Sequence, residues 1–139
     1  MKLLRVGDLG KEKVAAIDKN NIFRDLSSHI TDLNPDTLKL NNLTELKKIK
    51  LEDLPEVPKN IRVGACINRP SNILCAGLNY SLHAAQVGSK LPDYPIIFNK
   101  SPDCLQGPFD PIKKNKTQEK LDYEIELAVV LGKEAKNIK

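Results

Sequence analysis

The stretch LDYEIELAVVLG, residues 121–132, is the longest apolar-rich run in the chain, and it reads as a β-strand. A strand this long cannot stand alone, because its backbone needs hydrogen-bonding neighbours and its apolar side chains need a surface to cover. It therefore predicts a sheet, and it makes the rest of the chain a search for that strand's partners. It also carries two acids at its mouth, Glu124 and Glu126. Residues i and i+2 of a strand share a face, so the two carboxylates project together, while Tyr123, Ile125 and Leu127 take the other side. Two like charges about 7 Å apart on a half-buried strand repel and lose hydration, and a cation between them relieves both penalties. Hard oxygen donors suit Mg²⁺, Mn²⁺ or Ca²⁺. The same spacing is also that of the solvent-facing side of an amphipathic strand, and spacing alone leaves both readings open.

Upstream, the chain reads in two parts. Residues 2–6, 14–18 and 22–26 form short apolar segments separated by Gly, Asn and Asp, the pattern of a β-meander. Helical hints follow, with Asp36 or Thr37 able to cap a turn and Thr44 able to cap ELKKI. The polar stretch KLEDLPEVPKN, with Pro55 and Pro58, breaks regular structure and sets the expected boundary. The expected division is a small N-terminal β-rich domain at 1–58 and a second domain at 59–139. In the second part NILCAGLNY is a strand entering a Gly-containing turn. SLHAAQVG is a short helix with Ser81 as N-cap and Gly88 just past its end, and IIFNK is another strand. The fold class expected from this order is α+β and β-rich.

Composition narrows the function classes. The 139 residues are 40% hydrophobic and 29% charged, which is globular rather than disordered. There is no Trp, and the aromatic share of 4% is too small for a base-stacking surface, so no nucleic-acid partner is expected. The basic patch KKNKTQEK, residues 113–120, reads as a solvated turn because no aromatics interleave with it. Cys66, Cys75 and Cys104 are an odd set without paired short spacing, which suits reduced thiols and a cytoplasmic setting. The start lacks the apolar core of a signal peptide, and no apolar run approaches the roughly 20 residues of a membrane helix.

Two further groups could carry chemistry. His83 and Gln86 lie i and i+3 on the short helix and share a face. A histidine beside a metal-bound water or a carbonyl is a general-base candidate, and a surface histidine on a short helix has the same appearance. Lys100 ends an apolar strand, where it can reach an anionic substrate or snorkel to water.

Taken in order, ILCAGLNYSLHAA, PIIFNKSPDCLQGPFDPI and LDYEIELAVVLGKEAKNI resemble the fumarylacetoacetate hydrolase family. The opening MKLLRVGDLGKEKVAAID and IRVGACINRPSNILCAGLNY resemble its small bacterial-type members, among them ureidoglycolate lyase and 2,4-diketo-3-deoxy-sugar-acid hydrolase. The resemblance implies a small β-rich N-terminal domain followed by the beginning of a mixed β-roll, here truncated. It implies that Glu124 and Glu126 are ligands of Mg²⁺ or Mn²⁺. It further implies that His83 belongs to a catalytic His–Glu dyad on a short helix covering the site, and that Lys100 lies near the substrate. Gln86 stands where the family's dyad has glutamate. Its amide can orient the histidine but cannot stabilise an imidazolium as a carboxylate does. Relatives of about twice this length carry a third metal ligand, an aspartate, and a catalytic lysine in their second half. The activity implied is metal-dependent hydrolysis or lyase cleavage of small β-diketo or α-keto acids, in a homodimer. The alternative is an inactive remnant, or one half of a split enzyme that acts only as a structural partner of a complementary C-terminal half.

Overall fold

A computed structural model of the chain describes residues 1–138. It is strand-rich, with two antiparallel sheets and few helices. Two compact units are present, residues 1–68 with 106–139, and residues 69–105.

The first unit is built on a four-stranded meander. Strands β1 (Lys2–Val6), β2 (Lys13–Ile17), β3 (Phe23–Asp25) and β4 (Glu56–Val57) lie in the order β1-β2-β3-β4. Leu3 pairs with Ala16 and Arg5 with Val14, so these four residues share one face of the sheet. Arg24, opposite Ala16, joins the same face. On it Val14, Ala16, Leu26, Ile30, Leu33 and Leu46 form the core, with Leu3, Leu38, Leu43, Ile49, Leu51 and Leu54 packed against them. The meander expected at 2–6, 14–18 and 22–26 is present to within a residue or two.

The turn from β2 to β3 is held by Asp18, whose carboxylate accepts the amides of Asn20 and Ile22 at 2.8 and 2.9 Å. Its other oxygen takes Nε of Arg24 at 2.9 Å. Asp18 is thus held below its ordinary value, through the Ile22 amide first and through Arg24 and Asn20 besides, against the opposing effect of burial. The Pro-bearing stretch is not irregular throughout. Leu51–Asp53 makes a 3₁₀ turn, and Glu56–Val57 adds the fourth strand through Phe23 and Arg24.

Helix α1 (Leu40–Leu46) starts at Lys39 without a side-chain cap. Thr37 does not cap it, because its hydroxyl is committed to the preceding turn, where it accepts the Asn34 amide at 3.0 Å. Asn34 Oδ1 in turn accepts from the amides of Asp36 and Thr37. Thr44 lies inside the helix rather than at its start, and donates back to the Leu40 carbonyl at 3.0 Å.

The second unit is a ribbon and a helix. Strands β5 (Ile73–Gly77) and β6 (Ile96–Lys100) pair antiparallel over five residues each, and α2 (Ser81–Gln86) follows β5. Gly88, at φ +67°, ends α2. The Gly88 amide donates to Ala85 and the Ser89 amide to Ala84, the paired bonds of a Schellman turn that only a residue free to adopt positive φ closes at little cost. At the start of α2, Tyr80 rather than Ser81 holds the N-cap position.

The strand expected at 121–132 is not formed. Among the described residues, 111–138 contain no strand, and Tyr123, Ile125, Leu127, Val129 and Leu131 are exposed. An apolar, β-branched segment becomes a strand only where a ladder accepts it, and none of the described strands pairs with it.

Leu26 is fully buried at the centre of the core. Leu26→Ala is expected to lower the stability of the first unit by about 3 kcal/mol in urea unfolding; a loss below about 1 kcal/mol would show that this core is not close-packed.

Candidate functional site

The ribbon places the histidine. From Gly77 the chain turns through Leu78 at φ +50° and enters α2, so His83 and Gln86 leave from the Gly77–Ile96 end of the β5–β6 ladder. Both side chains are exposed, and among the described residues no hydrogen bond joins them. Lys100 pairs with Ile73 at the opposite end of the ladder, about 13 Å along the strand from Ile96. The fold thus puts His83, Gln86 and Lys100 in one unit, and the ribbon separates the lysine from the start of α2.

Glu124 and Glu126 belong to the other unit. Both are exposed, and among the described residues neither carboxylate makes an ion pair. As exposed, hard oxygen donors two residues apart they fit a divalent cation in kind. They do not fit one in number, because no cluster of three His, Cys, Asp or Glu side chains exists among the described residues. The carboxylates thus offer two donors of the hard class and no more among the described residues.

A shallow cavity of about 500 Å³ lies on the first unit, lined by His29, Thr31, Thr37, Asn42 and Glu45 over Ile30, Leu46 and Ile49. None of the residues expected to carry chemistry lines it.

The charged cluster that the structure does assemble was not foreseen from sequence. Arg5 is buried, and its guanidinium reaches Asp32 at 2.6 Å and Glu12 at 3.3 Å. Arg62 binds the other oxygen of Glu12 at 2.9 Å and grips Asp110 with two bonds of 2.9 and 2.6 Å. Asn68 donates to Asp32 at 2.7 Å. Burial raises the values of Glu12 and Asp32, and the arginine hydrogen bonds outweigh it, so both stand below their ordinary values. The Arg62 fork lowers Asp110 directly, and the two acids raise Arg62 in return. The one local signal was the turn QGPFD, with an aspartate three residues after its glycine.

Comparison with known proteins can now be set beside this geometry. Residues 72–139, which contain α2, β6 and both glutamates, match the family described as fumarylacetoacetate (FAA) hydrolase C-terminal. Residues 72–139 belong to the fumarylacetoacetate hydrolase family. A protein of Burkholderia ambifaria is 42% identical over 138 residues, covering 99% of this chain and 49% of the relative. Proteins of Burkholderia lata and Burkholderia multivorans are each 40% identical with the same coverage. All three carry the name "Putative hydrolase". The chain spans about half the length of the curated relatives it matches.

The depressed carboxylates give stability a definite pH dependence. The folded form binds fewer protons than the unfolded one, so the contribution of Glu12, Asp32 and Asp110 is complete above their ordinary values of 4.5 and 3.8. It is lost as pH falls through the lower folded values. The urea midpoint of the first unit is expected to be flat from about pH 7 to 5 and to fall steeply towards about pH 3. A midpoint unchanged over that lower interval would contradict the network.

Proposed function

We propose that this chain is part of a metal-dependent hydrolase or lyase acting on small β-diketo or α-keto acids. The observation that carries the reading is the family match over 72–139 together with two exposed carboxylates at Glu124 and Glu126 within it that make no ion pair among the described residues. In this reading Glu124 and Glu126 hold Mg²⁺ or Mn²⁺, and Ca²⁺ is a weaker candidate of the same hard class. A bound divalent ion supplies Lewis-acid polarisation of a substrate carbonyl. His83 accepts a proton from water, and its exposure on α2 leaves both ring nitrogens reachable. Gln86, one turn along the same helix, would orient the ring through its amide oxygen and adds no negative charge beside it. Lys100 supplies a positive charge for a substrate carboxylate. These groups serve hydrolysis, lyase cleavage, hydration or decarboxylation alike, so the reaction class rests on groups beyond them.

A second reading is favoured by the apolar surface. Ile96, Ile97 and Phe98 of β6 are exposed, as is the apolar series from Tyr123 to Leu131. Exposed apolar surface of this kind marks a place where a further protein surface docks. In that reading the polypeptide has no turnover of its own and is a structural half, completed by a C-terminal portion that carries the remaining metal ligand. Homodimerisation in the complete form and a cytoplasmic location belong to the same proposal. Among the described residues no helix is long and apolar enough to cross a membrane.

Mn²⁺ titration by calorimetry tests the metal role. The wild-type chain is expected to bind weakly through two carboxylates, and Glu124→Ala to lose that binding; indistinguishable titrations would remove the glutamates from the site. In a separate assay the isolated 139-residue chain is expected to cleave β-diketo acids poorly or not at all, and robust metal-dependent turnover by it would rule out the second reading.

A further inference from the structure

The charged cluster of the first unit is a linear array. Reading along it, Asp110, Arg62, Glu12, Arg5 and Asp32 alternate in sign, so each arginine lies between two acids. The middle of the array is closed to water, with the Glu12 side chain 4% exposed. The Arg62–Asp110 end is open, at 26% and 24%. Glu12 belongs to the β1–β2 turn, and its Oε2 also accepts the Gly10 amide at 3.0 Å. Arg62 is tied to the same turn from the other side, donating to the Gly7 carbonyl at 3.1 Å and accepting the Gly7 amide on its own carbonyl. Asp110 is the one acid of the array that lies outside residues 1–68.

The position of Asp110 has a consequence for residues 106–138. Its carboxylate takes the Arg62 fork and also accepts the Gly107 amide at 2.9 Å, while the Asp110 amide donates to the Gly107 carbonyl. Gly107 is buried, and a Cβ added there would lie 2.3 Å from the Val63 carbonyl oxygen. The turn therefore seats flush on the 62–63 backbone, with charge on one side and a glycine-sized gap on the other. Loss of Asp110 would leave Arg62 still paired with Glu12, so no buried charge is orphaned. Loss of Glu12 would leave two arginines facing each other across the space it filled.

We propose that Arg62 and Asp110 form a latch that seats the turn at 106–110 on the N-terminal sheet and can open without unfolding that sheet. The proposal goes beyond the metal reading and is tested without reference to metal or turnover.

Hydrogen–deuterium exchange of the full chain at neutral pH decides it. Asp110→Ala is expected to speed exchange of the amides at 106–110 by about tenfold or more, while amides of β1 and β2 stay within about twofold of wild type. Gly107→Ala, which removes no charge but whose Cβ would crowd both the Val63 carbonyl at 2.3 Å and the Asp110 carboxylate at 2.7 Å, is expected to give the same local opening. Glu12→Gln is expected to open the sheet itself. Unchanged exchange at 106–110 in both Asp110→Ala and Gly107→Ala would overturn the latch. Equal acceleration in β1 and β2 would overturn it too, by showing that the turn and the sheet open as one.

Discussion

The carboxylate of Glu12 lies between two guanidiniums, Arg5 at 3.3 Å and Arg62 at 2.9 Å, and is almost fully shielded from water. Such an acid is tolerable only if both cations stay in place, and each cation in turn needs its second acid. The requirement reaches a long way along the chain. Arg5 brings in Asp32 and, through it, Asn68, and Arg62 brings in Asp110. Four segments distant in sequence are thereby fixed around one turn of the meander. The apolar core on the same sheet is small, with Leu26 and Val14 its largest fully buried side chains. The array thus supplies order where hydrophobic burial alone would be modest.

What could be read in the sequence follows from range. Strands β1 to β3 show local alternation and Gly or Asn turns, and Gly88 marks the end of α2 because its positive φ is a local demand. Thr37 serves a turn, as its position suggested, with its hydroxyl accepting the Asn34 amide, whereas Thr44 lies inside α1 rather than at the start of a helix. Glu56–Val57 was missed because a two-residue strand beside prolines shows no pattern until Phe23 and Arg24 accept it. The segment 121–132 has every local property of a strand and lacks the ladder that makes one. Arg62 and Asp110 are far apart in the chain, and nothing in either neighbourhood announces their pairing.

The candidate site shows the same division. His83 and Gln86 share a short helix as their spacing requires, and Glu124 and Glu126 are both exposed, with no ion pair among the described residues. Sequence could name these residues through family resemblance, and the comparisons place α2 and both glutamates within one family segment. Neither carboxylate has a third donor among the described residues. Exposed apolar side chains flank the pair on the same stretch of chain. In the proposed metal reading the two carboxylates lack further donors among the described residues, as the strand-like segment lacks a ladder among them.

Water-proton relaxation of Mn²⁺ tests that most directly, using this chain mixed with the separately produced second half of the Burkholderia ambifaria relative. A Mn²⁺ site at least about tenfold tighter than that of either half alone, abolished by Glu124→Ala, is the predicted result. A mixture that titrates as the sum of its halves, or a tight site that survives both Glu124→Ala and Glu126→Ala, would contradict it.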